Sequence, residues 1–155
     1  MQEALEWFRR AADLNPKFAE AHYLCGVAQD QMSQIQQALD SYKTSARLSP
    51  GDPRAWTAAG VCLIRLRQFP AAINALREAV RLKPHYGGAS VHLWLAEALM
   101  RNKQIRLACE EWRIITHLEP SYPDYDVPMK EARELLNRYC GGTDTGNLKR
   151  HNKRV

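Results

Sequence analysis

The segment SARLSPGDP, residues 45–53, decides how this chain of 155 residues is organised. It holds two prolines and a glycine within four residues, a density that usually marks a turn or a linker. The ending itself recurs, since AADLNP, SARLSP, AVRLKP and ITHLEP close at Pro16, Pro50, Pro84 and Pro120. Proline stops a helix, so each ending marks where a helix finishes. The segment therefore joins repeated units of one structure and does not separate two domains.

The four prolines are spaced by 34, 34 and 36 residues, and other positions keep the same spacing. An alanine lies twelve residues before each proline, and a large side chain follows each alanine by four residues. The pairs are Ala4 and Phe8, Ala38 and Tyr42, Ala72 and Leu76, and Ala108 and Trp112. Small residues recur 24 positions before the last three prolines, at Gly26, Gly60 and Ala96. This pattern predicts helices whose small residues admit a close neighbour and whose large residues fill the groove.

These spacings resemble those of the tetratricopeptide repeat family, whose unit of 34 residues is an antiparallel helix pair with this small-large signature. The resemblance covers roughly residues 4–120. It implies an all-α fold, a right-handed superhelical solenoid of antiparallel helix pairs that ends in a C-terminal capping helix.

The repeat divides the chain into one tetratricopeptide-repeat domain over residues 1–139 and a basic tail. The predicted parts are a half repeat at 1–16, full repeats at 19–52, 53–86 and 89–122, a capping helix at 127–139 and a disordered tail at 140–155. Helices are expected near 3–14, 19–31, 35–48, 54–67, 70–82, 89–102 and 105–118. Within them, Asp52 and Pro53 suit the cap and first turn of a helix.

Composition narrows the class of protein. Hydrophobic residues make up 45% and charged residues 25%, as in a globular protein, and neither a signal peptide nor a membrane span is expected. The net charge is +5. Residues 140–155 hold four of the 22 basic side chains and one of the 17 acidic ones, which leaves +2 for residues 1–139. The basicity therefore belongs mostly to the tail.

The four cysteines, Cys25, Cys62, Cys109 and Cys140, form no CxxC pair and have no partners at zinc-finger spacing. They are expected to be reduced thiols in a cytoplasmic protein.

No catalytic motif stands out. The sequence has no phosphate-binding loop, GxGxxG or HExxH pattern. His22 and His92 occupy positions expected to pack between helices. Adjacent carboxylates such as Glu110 and Glu111 point apart on a helix. We expect no enzyme activity, cofactor or metal.

The resemblance implies instead a concave groove, lined mainly by the first helix of each pair, that binds a protein or peptide. The groove residues carried over from the family are Tyr23, Val27, Asp30, Arg54, Thr57, Val61, Ile64, Arg65, Trp94, Glu97, Met100 and Arg101. An apolar floor edged by arginines suits a peptide with apolar anchors and some acidic residues. Trp94 is the strongest single candidate. The lysines, asparagines and arginine by which one subclass grips acidic chaperone tails are missing from the corresponding positions.

Two other interaction surfaces follow from the ends of the chain. Leu5, Phe8 and Ala12 belong to a helix without its repeat partner, so this edge is expected to be covered by further repeats, by a second copy or by another chain. The basic residues of 140–155 are attractive to nucleic acid or another acidic surface. No aromatic residues lie between them, so nucleic acid is not the expected partner. A self-associating structural module is the further alternative.

Overall fold

The computed structural model describes residues 1–83, 89–117 and 126–141, and every regular element in these ranges is an α-helix. The helices are α1 (Gln2–Leu14), α2 (Ala19–Gln31), α3 (Ile35–Leu48), α4 (Pro53–Arg65), α5 (Phe69–Leu82), α6 (Ala89–Arg101), α7 (Ile105–His117) and α8 (Asp126–Tyr139). Their bounds differ from the expected ones by at most two residues. The turns at Pro84 and Pro120 and residues 142–155 of the expected tail lie outside the described residues.

The helices stack in chain order, each packed on the one before and the one after. The pairs α2–α3, α4–α5 and α6–α7 are joined by three residues each, so the two helices of a pair run antiparallel. Contacts also join α4 to α6 and α6 to α8. The prediction of an all-helical solenoid is therefore confirmed. No helix in the described part is long and apolar enough to cross a membrane.

The turn inside each pair has the same backbone conformation in all three repeats. Ser33, Arg67 and Lys103 have φ values of 59°, 60° and 62°. In each turn the residue that follows donates its N–H five residues back along the chain: to Gln29 O at 2.9 Å, to Leu63 O at 2.8 Å and to Leu99 O at 2.8 Å. These bonds satisfy carbonyls that a helix end leaves free. The 34-residue repeat is thus visible in the backbone as well as in the sequence.

The turn between one pair and the next is held by side chains, as the segment 45–53 illustrates. Asp52 caps α4, because its Oδ1 accepts a hydrogen bond from Arg54 N at 2.9 Å, and Pro53 occupies the first turn. Trp56 Nε1 donates to the carbonyl of Pro50 at 3.0 Å. One repeat earlier, His22 Nε2 lies 3.2 Å from the carbonyl of Pro16. The same helix position therefore fastens α2 and α4 to the end of the preceding helix.

The repeated small residues are points of close helix approach. A Cβ atom added at Gly26 would lie 2.6 Å from the Tyr42 ring, and one added at Gly60 would lie 2.6 Å from Leu76 Cγ. Tyr42 and Leu76 are buried. Within a repeat, the large side chain of the second helix therefore occupies the space that glycine leaves in the first.

This packing predicts that Gly60→Ala destabilises the protein. Alanine gains about 1 kcal/mol over glycine in a helix, but Leu76 must move, and overpacking typically costs about 1–3 kcal/mol. The added Cβ atom would lie 2.6 Å from the branch carbon of Leu76, so we expect a cost in the upper part of this range, about 2–3 kcal/mol. The net loss in the free energy of unfolding, measured by urea denaturation, should then be about 1–2 kcal/mol. Gly51→Ala is the control, because a Cβ atom added at Gly51 would meet no other atom within 4 Å. An unchanged midpoint for Gly60→Ala would contradict the close approach.

The cysteines differ from the expectation of four free thiols. Cys109 in α7 and Cys140, directly after α8, form a disulfide, so the expectation is wrong for this pair. The two residues are 31 positions apart and meet because α8 packs back on α7. Cys25 and Cys62 are free and buried. Burial raises the pKa of the Cys62 thiol to about 11, which keeps it protonated and unreactive at neutral pH.

The N-terminal edge is arranged differently from the expected one. Leu5 is 4% and Ala12 9% exposed, and Phe8 is partly buried, because this face of α1 packs against α2. The bare side of α1 instead carries Trp7, 68% exposed, and Leu14, 82% exposed. Self-association through α1 remains a prediction, with Trp7 and Leu14 as its accessible apolar residues.

Candidate functional site

The residues expected to line a groove lie on α2, α4 and α6, the first helices of the three pairs. Contacts join α4 to α6 and α6 to α8, and ion pairs join α2 to α4. These four helices therefore form one continuous side of the stack. The expected residues fall into two groups on it, one between α2 and α4 and one on α6.

Between α2 and α4, Arg54 is the centre of an ion-pair network. Its Nη2 lies 2.7 Å from Asp52 Oδ2 and 2.6 Å from Glu20 Oε2. Its guanidinium carbon lies 4.8 Å from the centroid of the Tyr23 ring, within cation–π range. Hydrogen bonds to Asp52 and Glu20 raise the pKa of Arg54. The Arg54 guanidinium is therefore paired with carboxylates of the protein itself.

A second ion pair joins the other ends of the same two helices, where Arg65 contacts Asp30. Thr57 is also satisfied internally, since its hydroxyl donates to the carbonyl of Pro53 at 2.9 Å. Val27 and Val61 are partly buried, and Ile64 belongs to the core at 8% exposure. The α2–α4 surface is therefore largely occupied by contacts between neighbouring repeats.

The α6 group has a different environment, because it borders a cleft between α6 and α8. The cleft has a volume of about 370 Å³ and is lined by Ser90, Leu93, Trp94, Glu97, Met100, Trp112, Glu131 and Leu135. Trp94 is 39% exposed, whereas Trp112 of α7 is 1% exposed. The volume lies within the range of about 300–1,000 Å³ that is usual for ligand pockets. Three of the expected residues, Trp94, Glu97 and Met100, are thus brought together.

The side chains that line this cleft give it a negative charge. Glu97 and Glu131 line it, and no lysine or arginine of the described ranges does. Glu97 also pairs with Arg101 one turn along α6, at 3.0 Å. Arg101 is half exposed at its side chain, and surface pairs of this kind contribute only about 0.3–0.5 kcal/mol. Both carboxylates are therefore available to a ligand.

Three contacts hold the walls of the cleft in place. His92 Nδ1 in α6 donates to Glu111 Oε2 in α7 at 2.7 Å, and this histidine is 4% exposed. The Trp112 and Tyr139 rings lie 6.1 Å apart and join α7 to α8. The disulfide from Cys109 fastens the end of α8 to α7. The third repeat and the last helix thus form a braced unit around the cleft.

Chemically, the arrangement offers binding contacts. The described ranges contain no group of three or more side chains suited to a metal ion. The buried His92–Glu111 pair joins two helices, and no hydrogen bond shown for the described residues links either side chain to a serine or cysteine. An exposed indole, apolar side chains and two carboxylates suit recognition of another molecule's side chains.

The cleft residues that lie outside α6, namely Trp112, Glu131 and Leu135, are not among the residues expected to line the groove. Glu131 and Leu135 lie on α8, which takes the place of a first helix after the third pair. Continuing the groove positions onto the capping helix would have included them. Trp112 has the pattern of a packing residue in the sequence, and the structure shows that it also contributes to the wall of the cleft.

Sequence comparison agrees with the repeat pattern. The family described as TPR repeat matches residues 1–33, and the family described as tetratricopeptide repeat matches residues 26–86 and 63–112. Together these matches cover more than half of the chain. A search of curated proteins returned no significant match.

Three of the solved structures that share this fold are MamA, YrrB and SycD. MamA residues 41 to the end, from Desulfovibrio magneticus RS-1, is 21% identical with a TM-score of 0.72, covering 90% of this chain and 83% of MamA. YrrB, described as a TPR protein with an unusual peptide-binding site, is 20% identical with a TM-score of 0.71, covering 89% and 75%. The Yersinia enterocolitica type III secretion chaperone SycD, in complex with a peptide of the translocator YopD, is 16% identical with a TM-score of 0.71, covering 78% and 91%.

Proposed function

The chain belongs to the tetratricopeptide repeat family, and from this membership we propose that it is a non-enzymatic adaptor that binds a segment of a partner protein. The binding surface is the side formed by α2, α4, α6 and α8, and its centre is the α6–α8 cleft. Structures of the same fold that bind peptides, SycD and YrrB, support a protein partner.

One observation carries the proposal: Trp94 is exposed at the edge of a cleft whose other apolar members are Leu93, Met100, Trp112 and Leu135. Tryptophan is a common energetic centre of protein interfaces, because a large ring leaves water on binding. The surrounding acidic and polar side chains form the rim that such centres usually have. An extended segment with one or two large side chains suits a cleft of this volume.

A binding screen tests the proposal. Random dodecapeptides displayed on phage are selected on the full chain, and the selected peptides are then titrated against Trp94→Ala combined with Val61→Glu. We expect at least about a tenfold loss of affinity, because the indole contact is removed and a charge is placed on the neighbouring first helix. Helical circular dichroism should stay unchanged, since Trp94 is 39% exposed and Val61 is only partly buried.

Trp7→Ala is the matched control, because Trp7 is 68% exposed on α1, at the far end of the stack from the cleft. This variant should bind the selected peptides as the parent chain does. Peptides that bind equally well to the double variant would sink the assignment of the surface. A screen that yields no binder would contradict the adaptor function itself.

Self-association is the second candidate, and the exposed Trp7 and Leu14 favour it. Both side chains lie on the one described helix that lacks a neighbour on its N-terminal side. Light scattering over a hundredfold range of concentration should show a concentration-dependent mass that Trp7→Glu abolishes, because a charge is costly in an apolar interface. A constant monomer mass would exclude this candidate.

A further inference from the structure

We propose that the α6–α8 cleft selects a basic side chain, lysine or arginine, flanked by apolar residues in the bound segment. This inference rests on the proposed function and adds the chemistry of the ligand. It reverses the acidic ligand that the arginines in the sequence suggest.

Those arginines are already neutralised within the protein. Arg54 is held by Asp52 and Glu20, and Arg65 by Asp30. An acidic ligand at the α2–α4 surface would have to displace carboxylates that are fixed on the same or the adjacent helix. Arg54 in particular has two carboxylates and the Tyr23 ring as partners, so an incoming acidic group would compete with contacts that cost no further translational freedom.

The carboxylates of the cleft, in contrast to these arginines, have few partners within the protein. Glu131 forms no ion pair with any residue in the described ranges, and it is exposed at the cleft. Glu97 shares one oxygen with Arg101, but a carboxylate accepts several hydrogen bonds. A guanidinium or ammonium group placed between α6 and α8 would therefore meet two carboxylates, with no basic side chain among the described lining residues.

The apolar lining also fits a basic side chain. The exposed face of Trp94 can attract a cation through its π-system, and tryptophan is the best of the aromatic residues for this contact. Leu93, Met100 and Leu135 can cover the methylene stem that lysine and arginine carry. Carboxylates, an indole face and apolar side chains thus converge on one cleft.

The sequences of the selected dodecapeptides test the inference directly. We expect lysine or arginine next to a large apolar residue to be enriched over the unselected library, and acidic residues to be depleted. For the best peptide, Glu97→Gln with Glu131→Gln should weaken binding about tenfold, because two charge-assisted contacts are lost. Raising the salt from about 50 to 500 mM should also weaken binding to the parent chain and have less effect on the double variant.

Glu134→Gln on α8 is the control, because Glu134 is exposed and does not line the cleft. It should leave peptide affinity unchanged. Enrichment of acidic peptides, or equal affinity for the parent chain and the Glu97/Glu131 variant, would overturn the inference. If the selected peptides were acidic but their binding still required Trp94, the adaptor function would stand and only the basic ligand would be wrong. If no selected peptide required Trp94, both the adaptor surface and the basic ligand would be wrong.

Discussion

Replacing Trp112 by alanine is expected to lower the free energy of unfolding by about 3–5 kcal/mol, the largest effect of any single substitution proposed for this chain. Trp112 is 1% exposed and occupies the large position of the third repeat. Its ring faces Tyr139 of α8 at 6.1 Å, so its removal leaves a cavity where α7 and α8 meet. Domains of this kind have total stabilities of about 5–15 kcal/mol. Urea unfolding followed by circular dichroism at 222 nm measures the loss.

Trp94→Ala is the matched control for this substitution. The residue type is the same and the helix is adjacent in the stack, but Trp94 is 39% exposed, so we expect a loss below about 1 kcal/mol. The two tryptophans should therefore separate stability from binding. A loss below about 1 kcal/mol for Trp112→Ala would contradict tight packing between α7 and α8.

Reduction of the Cys109–Cys140 disulfide is expected to loosen α8 and with it the wall of the cleft. Closing a loop of 31 residues removes chain entropy worth about 3–4 kcal/mol in the unfolded state. The expected results are a lower melting temperature in dithiothreitol and faster hydrogen exchange in α8. The helices α2 to α5 should keep their protection, because they lie outside the closed loop.

Cys140→Ser supplies the control, since this variant should melt at the temperature of the reduced protein and should not respond to dithiothreitol. Equal melting temperatures for the oxidised and reduced parent chain would show that the bond does not stabilise the fold.

Counting free thiols on protein isolated from its source also tests the proposed cytoplasmic location, because disulfides are rare in the cytosol. Four free thiols would agree with that location and would contradict the Cys109–Cys140 bond, whereas two would agree with the bond.

The helical architecture could be predicted from the sequence because its determinants are local and repeated. Two features recur in each repeat: the alanine with a large residue four positions later, and the proline ending. The Asp52–Pro53 start acts within one turn of helix. Gly26 and Gly60 could be recognised as close-approach positions for the same reason. Tertiary packing then follows from repetition, since each helix packs on its neighbours in the chain.

The disulfide and the cleft depend on non-local geometry that the repeat does not contain. Cys109 and Cys140 meet because α8 packs back on α7; a capping helix was expected there, but the repeat does not fix the register that brings the two cysteines together. The sign of the charge that the binding surface offers to a ligand depends on ion pairs between repeats. Arg54 contacts Glu20, 34 positions away, and Arg65 contacts Asp30, 35 positions away. A list of charges along one helix does not show these partners.

The distribution of the core has a consequence for how the molecule opens. The buried residues form one large cluster from Ala38 to Ala132 and a separate small one of Leu5, Cys25 and Ala28. The large cluster is closed at its C-terminal end by a covalent bond, whereas α1 is held by the small cluster and by contacts with α2 such as that of His22 with Pro16. Thermal fluctuations should therefore peel the helix at the amino end away first, exposing the Cys25 thiol while the remaining helices stay folded.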